Sequence, residues 1–511
     1  MPINMEQDNK LSKGVKYALY FFCGMGAVLV YISTRKYGIG LSPDSVNYLA
    51  AARSLAAGQG WLDFSGEYFT LWPPLYPVIM AFFILINLEP LEAMVVLNIM
   101  IFAATIYIST KLFSRVIKSK ALLILGIFAI STAPVLLENY KMAWTEPLFI
   151  LLVLLFINFL IKYIKEKNWK YLLVMAIVSA LVCIQRYIGV AVVLTGLFFI
   201  IFPLIKQGQK QIIKHGFVYL AIALAPLLIW LGRNYYLTSS LAGTRMDSPF
   251  GLLINIGTYL DAVSSWLVVG WSAFSPFKVL IFLSLVLVLI LATILLRSRY
   301  KNIAPNRQSI KPLVIYTIFY TLVVFILTIQ GTWQYVDGRY LSPIYVLMLC
   351  FFLVGVENLL LLIKSKKIKP RLQYLVICFV ALLFMFSFIK SVSLVNTWYM
   401  YGAGWYRDKN WQESSFIKSL KNYDFDGNIY SNDPRGAYFL LDQYAFFSPR
   451  VDADFSLPEN QAKPNYLIWF DITNQPYVHN FDYVDANYNL QEVFRGPYYD
   501  NEITGIVYKF W

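Results

Sequence analysis

The chain returns repeatedly to uninterrupted apolar runs long enough to cross a bilayer, and no other feature limits its fold as strongly. A helix crossing ~30 Å of hydrocarbon needs roughly 20 apolar residues. Runs of that kind stand near 17–33, 92–110, 121–137, 147–161, 171–185, 188–205, 216–232, 278–296, 312–330, 341–363 and 372–390. Only 14% of the 511 residues are charged, against about 25% in soluble domains. These two facts make the chain an integral membrane protein and exclude a soluble enzyme.

The segment 73–88 is apolar but opens on Pro73-Pro74 and carries Pro77, which suits an interfacial helix better than a full span. Charge supports that reading. With 73–88 left at the interface, the basic connectors all fall on one side: the N-terminus with Lys10, Lys13 and Lys16, then 111–120, 162–170, 206–215, 297–311 and 364–371. Together they hold 24 of the 43 Lys and Arg residues. Counting 73–88 as a span would put the last five on the face opposite the N-terminus. The positive-inside rule therefore predicts about eleven spans, with the N-terminus inside and the C-terminus outside. The first span lacks an A-x-A-like site and reads as an uncleaved anchor. Residues 396–511 are rich in Tyr, Asp, Asn and Pro and have no span-length run. There WQESSFIKSL (411–420) predicts a short amphipathic helix, and NIY, NYLIWF and ITGIVYKFW predict strands. The expected architecture is a mainly α-helical polytopic membrane domain over 1–395, with a first outer loop at 34–91, and a small extracytoplasmic α/β domain over 396–511.

The net charge of +14 follows from the positive-inside bias, not from nucleic-acid binding. The four cysteines (Cys23, Cys183, Cys350, Cys378) stand in apolar stretches, too widely spaced for a metal motif, and the two histidines, His215 and His479, lie far apart. No zinc or haem site is expected. The absence of an N-x-S/T sequon from the sequence favours a bacterial cytoplasmic membrane over a secretory pathway.

Polar residues gather in the outer connectors. The first loop has Asp44, Arg53, Asp63 and Glu67; ENYKMAWTEP has Glu138, Lys141 and Glu146; QRY has Arg186 and Tyr187; the long loop opens with Arg233, Asn234 and Arg245; WQYVDGRYLSP has Asp337, Arg339, Tyr340 and Pro343. Arginines at the outer ends of several spans run against the positive-inside trend, and charge at such depth tends to mark function. Arg186, Arg233 and Arg339 are each either a snorkelling anchor or a phosphate ligand through the guanidinium fork. Asp44 precedes the Ala-rich run VNYLAAARSLAAG, which ends at Gly58 or Gly60. It reads either as an N-cap, a task Ser45 can also perform, or as a general base. Glu146 opens a span in front of Pro147, where helix-start electrostatics explain it as well as a contact to an acceptor or a cation does.

Taken in order, these residues resemble the GT-C glycosyltransferases that use polyprenyl-phosphate sugars, in particular the bacterial family 39 group related to protein O-mannosyltransferases and to the aminoarabinose transferases of lipid A. The matching elements are Asp44 ahead of the Ala-rich helix, Pro73-Pro74-Leu75, Glu146 in WTEP, and the pairs Arg186-Tyr187 and Arg339-Tyr340, over roughly 15–350. The resemblance implies a GT-C-like fold with juxtamembrane helices in the first outer loop. It also implies transfer of one sugar from a polyprenyl-phosphate donor to an acceptor hydroxyl of a glycolipid, polysaccharide or protein, with inversion at the outer face. Asp44 is the general base in this reading. Arg186, Arg233 and Arg339 bind the donor phosphate, while Glu146, Tyr187, Tyr340 and Arg53 position substrates. Many relatives carry Asp-Glu in the first loop where this chain has Asp44-Ser45, so no divalent metal is assigned and no other cofactor is implied. The alternatives are a glycolipid or polysaccharide transporter or flippase, and a ligase that takes a glycan from a lipid diphosphate.

Overall fold

The computed structural model describes residues 11–204, 209–243, 248–268, 275–299, 307–331, 335–365, 370–451, 464–472, 478–497 and 502–510. All eleven apolar runs form helix: Lys13–Arg35, Pro90–Ser114, Lys120–Ser131 continuing into Pro134–Tyr140, Glu146–Glu166, Trp169–Gln185, Val190–Leu204, Gln209–Thr238, Pro276–Arg299, Arg307–Gly331, Gly338–Ser365 and Pro370–Tyr401. Helices satisfy every backbone polar group within the segment, as an apolar surrounding demands.

Among the described residues, eight of these helices are individually long and apolar enough to cross a membrane. The bent pair Lys120–Ser131 and Pro134–Tyr140 makes a ninth, with an angle of 42°. The bend falls where Pro134 has no N–H to continue the ladder. Trp169–Gln185 has 17 residues, about 25 Å at 1.5 Å per residue, and stops where the backbone of Arg186 turns extended. Leu75–Leu85 has 11 residues, about 16 Å, too short to span, as its prolines led us to expect.

One large core fills the helical bundle. A second core joins the first loop to the C-terminal domain, sharing Leu41, Leu49, Phe64, Tyr406, Phe416 and Phe470. The first loop is therefore folded against the C-terminal domain. That domain holds a five-stranded sheet of β1 (Asn428–Ser431), β2 (Ala445–Phe447), β3 (Asn465–Phe470), β4 (Gln491–Arg495) and β5 (Gly505–Phe510) in the order β2-β1-β3-β5-β4. β1 runs parallel to β2 and β3, and β5 runs antiparallel to β3 and β4.

The three strands expected from sequence are β1, β3 and β5. The other two escaped because β2 is only three residues long and β4 is an edge strand of mostly polar residues. The single helix expected over 411–420 is two, Lys409–Gln412 and Ser415–Asn422. Ser414 breaks it: its hydroxyl accepts the amide of Ile417 at 3.1 Å and donates to the carbonyl of Ile503 at 2.6 Å.

Candidate active site

The helix Pro43–Ala56 starts on a capping box. Ser42 Oγ faces the amide of Ser45 at 3.5 Å, the amide of Ser42 donates to Ser45 Oγ at 3.2 Å, and the indole of Trp144 donates to Ser42 Oγ at 2.8 Å. Capping is thus performed by Ser42 and Ser45. Asp44 sits one residue inside the helix, where its negative charge suits the positive end of the dipole. Its carboxylate is turned away from the cap and accepts from Arg339 Nη2 at 3.0 Å, with its side chain 33% exposed.

Arg339 leads from Asp44 to Glu146. Its Nε donates to Glu146 Oε1 at 2.5 Å, and its guanidinium lies 4.0 Å from the centre of the Trp144 ring. The same Glu146 oxygen is 2.5 Å from Arg186 Nη1, which also donates to Thr145 Oγ1 at 2.7 Å. Glu146 is 1% exposed, whereas the two arginine side chains are each 17% exposed. A buried carboxylate is tolerated only when paired and hydrogen-bonded, and here two guanidiniums do that. The result is a chain of alternating charge, Asp44–Arg339–Glu146–Arg186, whose fixed end is buried and whose Asp44 end is open.

Local structure explains each position. Glu146 and Pro147 are the first two residues of Glu146–Glu166, where Pro is favoured. Arg186 lies between Trp169–Gln185 and a short 3-10 turn at Tyr187–Gly189, and Gln185 Nε2 ties this junction to the carbonyl of Thr145 at 2.9 Å. Arg339 is in the first turn of Gly338–Ser365, whose start is closed by Asp337 Oδ1 accepting the Tyr340 amide at 3.0 Å. Burial pushes the Asp337 carboxyl above its ordinary range, although that amide and the Arg339 charge pull the other way. The carbonyl of Tyr340 accepts from the Tyr320 hydroxyl at 2.7 Å.

The structure does not bring all the remaining expected site residues to this charged chain. Tyr187 donates to the carbonyl of Thr70 at 3.1 Å and accepts from the Trp230 indole at 3.1 Å. Arg233 stands apart from Arg186 and Arg339: it donates to the carbonyl of Phe69 at 2.9 Å, and its guanidinium lies 4.8 Å from the Trp230 ring centre. Arg53 is at the other end of its helix, paired with Asp442 of the C-terminal domain at 2.5 Å and 6.0 Å from the Tyr438 ring centre. Arg245 lies outside the described residues. Ser42, Trp144, Thr145 and Gln185 were not singled out from sequence. The only signal for Trp144 and Thr145 was their adjacency to Glu146. Among the described residues no three His, Cys, Asp or Glu side chains converge as a metal would require. Arg339 occupies the space between the two carboxylates.

No family model matches the chain, and no curated protein does. Solved structures do. The chain is similar to ArnT from Cupriavidus metallidurans bound to undecaprenyl phosphate, with a TM-score of 0.62, 12% identity, and 96% of this chain and 97% of that one covered. It is similar to the apo state of the same ArnT with a TM-score of 0.61, 11% identity, and 97% and 98% covered. A partial similarity to the S. cerevisiae protein O-mannosyltransferase Pmt1-Pmt2 complex bound to the sugar donor has a TM-score of 0.35 at 16% identity and covers 46% of this chain and 35% of that one. The fold is thus ArnT-like over nearly the whole chain, a helical bundle with a small C-terminal sheet domain as expected from sequence.

Proposed function

We propose that the protein is a membrane glycosyltransferase that moves one sugar from a polyprenyl monophosphate to an acceptor hydroxyl at the outer face of the bacterial cytoplasmic membrane. The observation that carries this reading is the charged chain described above. It supplies an accessible carboxylate, Asp44, next to the guanidinium of Arg339, with a second guanidinium, Arg186, held on the same buried counter-charge. The whole-length similarity to ArnT supports a lipid-phosphate donor.

In this reading Asp44 takes the proton of the acceptor hydroxyl as its oxygen attacks the anomeric carbon from the side opposite the phosphate, which inverts that centre. The sugar–oxygen bond breaks, its electron pair leaves on the polyprenyl phosphate, and that phosphate gains one negative charge. Arg339 and Arg186 stabilise the new charge. Proton and charge balance: the base gains what the acceptor loses, and the leaving phosphate gains the bonding pair. Glu146 keeps both guanidiniums in place. Part of the apolar tail would enter a cavity of about 480 Å³ between Leu252–Ser265, Pro276–Arg299 and Gly338–Ser365, lined in part by Trp266, Leu289, Tyr345 and Phe352. Tyr345 is six residues on from Arg339, about 9 Å along the same helix, so the cavity and the arginine share one helix.

The test is Asp44→Asn. Expression is expected to match the wild type, and one sugar mass is expected to be lost from the surface glycans or glycolipids by mass spectrometry, as in a deletion strain. A variant that restores the wild-type profile refutes Asp44 as the base. A deletion that changes lipid distribution but no product mass refutes transfer and favours transport.

A further inference from the structure

Two carboxylates grip Arg339 from two sides, and each follows one strand of a small cluster by three residues. The amide of Gly40 donates to the carbonyl of Lys141 at 2.9 Å, and the amide of Ala143 returns to the carbonyl of Gly40 at 2.9 Å. On the far side the amide of Leu41 donates to the carbonyl of Gly404 at 3.2 Å, and that of Tyr406 to the carbonyl of Leu41 at 3.2 Å. Asp44 comes three residues after Leu41, and Glu146 three after Ala143. The spacing of the two acids is therefore set by how segments 40–41 and 142–143 lie together, with 404–406 clamping the open side. There is no slack: a Cβ on Gly40 would overlap the Met142 sulfur and stand 2.7 Å from the carbonyl oxygen of Ala403.

The clamping segment has no regular structure of its own. Gly402 has φ +106°, Gly404 +135° and Trp405 +59°, and a non-glycine residue held there costs of order 1–3 kcal/mol. Besides these backbone bonds, Lys141 fastens its Ala403 end. The ammonium donates to the carbonyl of Ala403, meets the Glu138 carboxylate at 3.0 Å and lies 4.6 Å from the centre of the Trp398 ring, with the side chain 5% exposed. A buried ammonium is costly unless its donors are used, so this lysine is not an ornament of the surface.

We propose that Lys141 is a positioning residue for Asp44, acting through Ala403, Gly404 and Leu41, so that the entry to the C-terminal domain is part of the active site. The proposal rests on the glycosyltransferase reading above only for its effect on rate. Lys141→Met is expected to lower kcat on the order of 100-fold, the scale of a 1 Å misplacement, with KM for the polyprenyl-phosphate donor within about threefold. Lys141→Arg, which keeps a donor, recovers most of the rate. Glu138→Gln, which removes only the ion pair, stays near wild type. Backbone hydrogen exchange over 37–47 and 402–408 rises in Lys141→Met and not in Glu138→Gln. A Lys141→Met protein with wild-type kcat, an equal loss in Lys141→Arg and Lys141→Met, an equal loss in Glu138→Gln, or unchanged exchange overturns the proposal. Exchange is read without any transfer assay, so a chain that transfers no sugar defeats the glycosyltransferase reading and leaves the role of Lys141 in holding the clamping segment, the strap over 402–406, tested.

Discussion

Glu146 carries more of the site than any other side chain, and Glu146→Gln measures how much. One oxygen of this 1% exposed carboxylate lies 2.5 Å from both Arg186 and Arg339. Two unit charges with centres about 4 Å apart attract by about 4 kcal/mol at an effective dielectric constant near 20, and Glu146 makes two such pairs. Removing a buried carboxylate from water costs several kcal/mol, and the two guanidiniums repel each other whether or not Glu146 is charged. The substitution keeps shape and an acceptor oxygen and removes only the charge, so we expect the roughly 3–5 kcal/mol of a broken buried pair. In detergent this should lower the apparent Tm by on the order of 5 °C at a matched scan rate. On the proposed function, undecaprenyl phosphate would supply a replacement anion. At 100 times its Kd any ligand of the native state adds about 2.7 kcal/mol, and Glu146→Gln should gain more from it than the wild type does. A double-mutant cycle with Arg339→Gln should show coupling of about 0.5–3 kcal/mol. A variant within ~0.5 kcal/mol of wild type, or an additive cycle, would refute the view that Glu146 is the counter-charge that holds the clamp.

Two further outcomes follow from the C-terminal domain. Arg53→Gln breaks a pair whose partner Asp442 is 71% exposed, so the loss should stay below ~1 kcal/mol and kcat should not move. An acceptor KM raised fivefold or more without a Tm change would instead put Arg53 in contact with substrate, the role expected from sequence. Burial pushes the Asp433 carboxyl above its ordinary 3.8, although the Tyr406 hydroxyl donates to it at 2.7 Å. A raised pKa stabilises the fold fully at pH below 3.8 and loses that contribution as pH rises through the folded value. Asp433→Asn keeps an acceptor for Tyr406 and should therefore be no less stable than wild type at pH 7, and the difference in Tm between the two should shrink or reverse as pH falls towards 4; a difference that does not vary with pH contradicts this.

The helical bundle was legible because apolar periodicity and span length report directly on solvent. The same signal placed Leu75–Leu85 at the interface through its prolines. Asp44, Glu146, Arg186 and Arg339 stood out because charge beside an apolar run is rare. Their pairing was not legible: Asp44 and Arg339 are 295 residues apart, and Glu146 and Arg339 are 193 apart. Sequence could not separate Arg233 from the other two arginines, since all three sit at span ends; only the fold shows that Arg233 faces Trp230 and the Phe69 carbonyl. Nor could it rank Asp44 against Ser45 as the helix cap, because Asp and Ser both cap well, and it missed Ser42, the residue that starts the cap. The strap was invisible for a different reason. It is made of backbone hydrogen bonds from Gly40, Leu41, Ala143, Gly404 and Tyr406, and backbone groups leave no trace in residue type.

If one of the two acids is the base the proposed transfer needs, burial decides which. A base has to meet an acceptor, release its proton afterwards and survive the loss of its charge during each turnover. Asp44, at 33% exposure with one arginine contact, meets those conditions. Glu146, at 1% exposure with two, does not: protonating it would leave two guanidiniums without their shared counter-charge in a place water hardly reaches. Arg339 touches both acids, so it senses the state of each. In the proposed mechanism, the proton that Asp44 takes removes the negative charge Arg339 faces on that side as the departing phosphate gains one. The site therefore keeps its charge constant while the charge moves from carboxylate to phosphate, which is what a fixed set of guanidiniums can stabilise without rearranging.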